Sequence, residues 1–109
     1  EPIDRSALRT IAKSQFGDMV KAVVDIEKGI MAIGAELHAD EEVLLMDEEG
    51  SSRQHTWGIN LYPDETGAKF IEFNSMINIK PAFGNRSRGV EDVAIQEKIK
   101  AIIAKLVVS

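Results

Sequence analysis

Pro81 divides the second half of this chain. A proline offers no backbone N–H and is excluded from the interior of a β-ladder, so any strand built from the apolar stretch Phe70–Ile79 has to end before it. After it comes Gly84-Asn85-Arg86-Ser87-Arg88-Gly89, a basic loop bracketed by glycines, and then the acids Glu91 and Asp92, which read as a helix start. In Phe70–Asp92 a strand, an arginine loop and a helix start follow one another. Backbone freedom, fixed positive charge and buried amides meet only here.

The 109 residues are the length of one ordinary domain, expected over residues 1–109. With 44% apolar and 28% charged residues the chain has enough to bury, which excludes disorder. There is no cysteine, so neither disulfides nor thiolate chemistry are available; a reducing, cytoplasmic setting is the expectation. No apolar run approaches the roughly 20 residues of a membrane span, and EPIDRSALRT lacks the pattern of a signal peptide. A net charge of −5 argues against nucleic acid as partner.

Asp4 or Ser6 can cap a first helix, with Gly17 closing it in a left-handed conformation. Met19–Ile33 reads as a second, central helix, with Asp18 as its cap and Lys21, Asp25 and Lys28 as a charged strip. Glu36–Asp40 alternates polar and apolar residues and reads as a strand, and Asp47–Ser52 as a turn. His55–Tyr62 is a strand with Trp57, Ile59 and Leu61 on one face and Thr56, Gly58, Asn60 and Tyr62 on the other. A turn at Pro63–Gly67 then makes Lys69–Ile79 its antiparallel partner. Asp92 caps a last helix carrying Ile95, Ile99, Ile102, Ile103 and Leu106. The expected fold is α+β: two N-terminal helices, an antiparallel meander of three to four strands, and a C-terminal helix, with the helices on one face in two layers.

Three groups carry candidate chemistry. Glu36, His38 and Asp40 share a strand face at period two, a spacing that suits acid–base catalysis or one divalent metal. No second histidine stands at metal-motif spacing, so no metal is assigned, and seven acids without a Lys or Arg between 36 and 49 fit a solvated face as well. Asn85, Arg86 and Arg88 form the second group, able to clamp a phosphate or carboxylate. Glu91 and Asp92 occupy the helix start where an anion would sit, and the loop is neither a Walker loop nor a dinucleotide fingerprint, so no cofactor is expected. The same arginines can instead pair with the acids at 40–49. Asn60, Tyr62, Asn74 and Asn78 are the third group, a polar patch on two strands or amides satisfied within them.

In the blocks GAELHAD (34–40), WGINLYP (57–63) and FIEFNSMINIKPAFGNRSRGVED (70–92) the chain resembles a family of small bacterial and archaeal proteins known only as a domain of unknown function. The resemblance runs nearly end to end. It carries no activity, substrate or cofactor, so function rests on the residues alone.

Two functional readings follow. One is a binding module with a polar Arg–Asn site for an anionic small molecule or protein partner, or for a second copy of itself as a homo-oligomer. The other is a small metal-assisted or acid–base hydrolase of a phosphate-bearing substrate, a toxin-like ribonuclease being one variant. The second requires His38 and the arginines to share one cleft.

Overall fold

The computed structural model describes residues 2–108. A short strand β1 (Ile3–Asp4) leads into helix α1 (Arg5–Gln15). Asp4 caps it by accepting from the Ala7 N–H at 2.7 Å, and Gly17 follows at φ +91°, both as read from sequence. The next segment departs from expectation. In place of a second helix, β2 (Val20–Asp25) and β3 (Ile30–Ile33) form an antiparallel hairpin, so one helix and not two precedes the sheet. The β-branched residues favour strand, and Asp25 makes the turn. Its Oδ1 accepts from the N–H groups of Glu27 and Lys28, and its carbonyl accepts from Gly29 at φ +68°.

The second correction is α2 (His38–Glu49), a helix where a strand was read at Glu36–Asp40 and a turn from Asp47. Its buried residues are His38, Glu41, Glu42 and Leu45, a helical set that is three-quarters polar. Hydrophobic periodicity was therefore silent. Gly50 at φ +69° ends it.

Strand β4 (Thr56–Leu61) is the sheet's most buried, flanked by β2 along its whole length and by β5 (Ile71–Glu72) at Asn60 and Leu61 only. The sheet order is β3-β2-β4-β5, all antiparallel. The long strand expected over Lys69–Ile79 shrinks to β5, followed by tight 3₁₀ turns at Met76–Asn78 and Pro81–Phe83. Asp92 caps α3 (Val93–Leu106) through the Ala94 N–H, as read, and β6 (Val107–Val108) pairs in parallel with β1.

Alternation along the strands divides the packing. Val20, Ala22, Val24, Trp57, Ile59 and Leu61 join Leu8, Ala12, Ile99 and Ile103 of α1 and α3 in the main core. Each such large side chain stabilises the fold by about 1.5–3 kcal/mol on burial. Val23 and Ala32 point the other way and meet Leu45 of α2 and Ile77. Helices thus cover both faces of the sheet, not one, because α2 took a segment read as strand. Among the described residues no helix is long and apolar enough to cross a membrane.

Candidate functional site

On the α2 face of the sheet the register aligns three polar residues. Lys21 of β2 is the partner of Asn60 of β4, and Asn60 is the partner of Glu72 of β5. Partners on adjacent strands point the same way, so a cation, an amide and a carboxylate lie in one row at about 5 Å per strand. The row floors a cleft of about 530 Å³. Its walls carry His38, Tyr62, Asn74, Ser75 and Arg88, with apolar Met19, Leu37, Met76 and Ile77.

His38 is the first residue of α2 and is buried against β4. Its Nε2 lies 2.8 Å from the carbonyl oxygen of Ile59. A carbonyl only accepts, so Nε2 carries the proton and Nδ1 the lone pair. Burial pulls the imidazole below its ordinary pKa and the charges of Lys21 and Arg88 add to this, while the Ile59 carbonyl and Asn60 act in the opposite sense. The ring is neutral at pH 7. One turn along, Glu41 is fully buried, accepts from the Ala35 N–H at 3.1 Å, and keeps Oε1 without a partner. Burial pushes its carboxyl up to about 8, so it too is uncharged at neutral pH.

β5 does not reach Gly58, and Asn78 takes its place there. Its amide accepts from the Gly58 N–H at 2.7 Å and donates to the Gly58 carbonyl at 2.9 Å, as a neighbouring strand would. The same Nδ2 donates to the carbonyl of Arg88 at 2.9 Å, and the Ser75 N–H donates to it at 2.9 Å. Those two bonds anchor the arginine loop and bring the Arg88 side chain into the cleft. Ser75 also packs onto Gly58. A methyl built there would lie 2.6 Å from the Cβ and Oγ of Ser75 and 3.1 Å from Cδ2 of His38.

The rest of the loop is knitted to itself. Asn85 Nδ2 donates to the carbonyls of Asn78, Ser87 and Gly89, and its Oδ1 accepts from the Glu91 N–H. Glu91 Oε2 accepts from the N–H groups of Arg86 and Ser87 at 3.0 and 2.9 Å. The amides a phosphate would use are filled by the chain's own carboxylate, whose pKa is held low first by the Ser87 side chain and then by these backbone bonds.

Of the sequence-derived candidates, His38, Arg88, Asn60, Tyr62 and Asn74 therefore line one cleft. Glu36, Asp40, Asn78, Asn85 and Arg86 do not line it. Glu36, Asp40 and Arg86 are exposed, and Asn78 and Asn85 are buried in the frame behind it. The expected pairing of Arg86 and Arg88 with the acids at 40–49 is absent among the described residues. Glu42 instead pairs with Arg53 at 3.1 Å and lies 3.9 Å from Lys80 Nζ. No three His, Asp or Glu side chains among the described residues are grouped to hold a metal ion.

Sequence reasoning passed over Lys21 and Glu72. Lys21 was assigned to the charged strip of a helix that does not form, although Val20-Lys21-Ala22 already alternated in the strand manner. Within the cleft Glu72 Oε1 accepts from Asn60 Nδ2 and from the Tyr62 hydroxyl, both at 2.9 Å. Burial and this carboxylate raise the Tyr62 pKa. Lys21 and Arg88 form no ion pair among the described residues.

Two other hollows have similar size. One, of about 660 Å³, lies between α3 and the 67–73 stretch; its cation Arg5 is stacked over Phe70 and donates to the carbonyls of Pro63 and Glu65. The other, of about 630 Å³, lies between β3 and α2 and is mostly apolar, with Glu48 and Glu49 at its edge. Among the described residues neither holds a buried side-chain atom without a partner, as the His38 cleft does in Asn60 Oδ1. In that cleft Lys21 stacks over Phe16, its ammonium 5.0 Å from the ring centre.

No curated protein and no solved structure matches the chain. A family model does, over residues 1–106, under the description "Protein of unknown function (DUF5674)". With nearly its whole length matched, the chain belongs to the DUF5674 family.

Proposed function

We propose that this protein is a small binding module whose His38 cleft takes an anionic small molecule. The observation that carries the reading is the convergence of Lys21 and Arg88 on one cleft without a carboxylate partner for either. Lys21 is half-buried and Arg88 exposed. Two cations on one cleft attract an anion more strongly than either alone, and arginine adds a planar fork for carboxylate or phosphate. Thermal shift and calorimetry with phosphate, sulfate and short carboxylates at low and at moderate salt test it. Anions should raise Tm in the wild type and much less in Lys21→Ala and Arg88→Ala. If both variants respond like the wild type, the cleft is not the anion site.

Acid–base hydrolysis of a phosphate-bearing substrate is the second reading. It is supported by a neutral His38 whose Nδ1 lone pair is free for base catalysis beside two cations. Glu36 and Asp40 lie outside the cleft, so His38 would act without them. Hydrolysis of p-nitrophenyl phosphate or of single-stranded RNA, lost in His38→Ala, is the outcome this reading requires. Self-association draws on a separate feature, the exposed Val43, Leu44 and Met46 along α2. Light scattering across a dilution series tests it, and a monomer throughout removes it.

A further inference from the structure

Asn60 is a cleft residue with unfinished hydrogen bonding. Only 6% of it is exposed, and its Nδ2 donates to Glu72 Oε1 at 2.9 Å and to the Asn74 carbonyl at 3.3 Å. Two acceptors on one side settle which end of the amide is nitrogen. Its Oδ1 is buried without any partner. A buried acceptor left unmade is costly, and native proteins rarely keep one without a reason.

No group among the described residues donates to it, and His38, which lies against Asn60, could do so only as an imidazolium. The imidazole of His38 gives its proton to Ile59 and is left with a lone pair on Nδ1. The Tyr62 hydroxyl donates to Glu72. Asn60 Nδ2 faces Glu72, so Oδ1 is the far end of the amide from that carboxylate, in a row that is negative at Glu72. The Lys21 side of the row is positive. A plain anion would satisfy the cations, leave Oδ1 bare, and meet the repulsion of Glu72.

Resting on the anion-binding reading above, we infer that the ligand is a small zwitterion of amino-acid type with an apolar side chain. Its carboxylate is held by Lys21 and Arg88, and its ammonium donates to Asn60 Oδ1, with the Glu72 carboxylate on the neighbouring strand favouring the positive charge. The row spacing of about 5 Å per strand suits two opposite charges on one carbon, each in contact with its own partner. The cleft's volume leaves room for a side chain, and Met19, Leu37 and Met76 offer an adaptable apolar wall for it.

Calorimetry on the whole protein tests this with three matched probes: L-leucine, 4-methylpentanoate, which lacks the amine, and isoamylamine, which lacks the carboxylate. Phosphate serves as a plain anion. L-leucine should bind at least tenfold tighter than 4-methylpentanoate, and isoamylamine should not bind. Asn60→Ala and Glu72→Gln should lose that preference while still binding 4-methylpentanoate; Glu72→Gln keeps the side-chain size should Asn60→Ala fold poorly. Lys100→Ala, a surface cation outside the cleft, should behave as wild type. Equal affinity for L-leucine and 4-methylpentanoate overturns the zwitterion and leaves the anion site standing. Failure of leucine, 4-methylpentanoate and phosphate alike overturns the anion site as well.

Discussion

His38 Nε2 donates to the carbonyl of Ile59 at 2.8 Å, and through it the first residue of α2 is fastened to the central strand. The bond needs a proton on Nε2, which the neutral tautomer and the imidazolium both carry. Burial, helped by Lys21 and Arg88, is what keeps the ring neutral and links its protonation to the docking of the helix.

The consequence is a dependence on acid. The folded ring has a pKa below the ordinary 6.5, so the unfolded chain binds a proton more readily. Stability is complete above 6.5 and declines as pH falls through the interval below it, by at most about 1.4 kcal/mol per pH unit. Because Glu41 titrates in the opposite sense over the same interval, denaturant midpoints from pH 5 to 7 should show this slope in Glu41→Gln and less of it when His38→Gln is added. A His38 resonance titrating at or above 6.5 would falsify the assignment.

Glu41 tilts stability in the opposite direction. Its carboxyl moves from an ordinary 4.5 to about 8, so the folded state holds the extra proton. The contribution is complete below 4.5 and drains away as pH rises toward 8, again at about 1.4 kcal/mol per unit. Glu41→Gln, which keeps the neutral shape, should flatten the curve between pH 6 and 8. An unchanged curve would place the Glu41 carboxylate in solvent.

Gly58 is set by contact and not by backbone conformation, since the side chains of Ser75 and His38 occupy the place of its missing Cβ. Gly58→Ala should destabilise by about 1–3 kcal/mol, the range of a forced fit in a packed interior. Adding Ser75→Gly should recover part of that loss in chemical denaturation. If the double variant is no better than the single, Ser75 is not the obstacle.

Asn78 should prove the most sensitive amide in the chain. Asn78→Asp turns a donor to two buried carbonyls into an acceptor, and Asn78→Ala leaves Gly58 N–H, Gly58 C=O and the Arg88 carbonyl each short of a partner. We expect a loss of about 3–5 kcal/mol from three bonds at about 1 kcal/mol each plus the burial penalty. Hydrogen exchange should quicken at Gly58. Slow exchange there in Asn78→Ala would mean that another group closes the strand.

The parts of the fold legible in the sequence are those where one residue decides one geometry. Asp4 and Asp92 cap, Gly17 reverses, and Trp57, Ile59 and Leu61 alternate with Gly58 and Asn60. The hairpin was hidden because Lys21, Asp25 and Lys28 fit helical spacing as well as strand and turn. Gly29 then read as a costly helix residue when it is the left-handed end of the turn. Helix α2 was hidden for a different reason: the residues it buries are ionisable, and their burial depends on partners from distant segments. Glu42, for example, is held by Arg53 and Thr56.

The site was half legible for the same reason. Composition singled out His38, Asn60 and Arg88, yet nothing local says that Ser75 and Asn78 hold the carbonyl of Arg88 and so aim that one arginine, leaving Arg86 outside. Lys21 and Glu72 enter only through strand register, which is a property of pairs of segments.

The carboxylate of Glu91 in the arginine loop has a further effect. By occupying the amides of Arg86 and Ser87 it lets the loop take its final shape with no guest present. Whatever enters the cleft meets a loop backbone already set, and the loop's own cost of binding is the rotational freedom of the Arg88 side chain, on the order of 2 kcal/mol. Free and occupied forms should superpose along the whole of the 84–92 backbone.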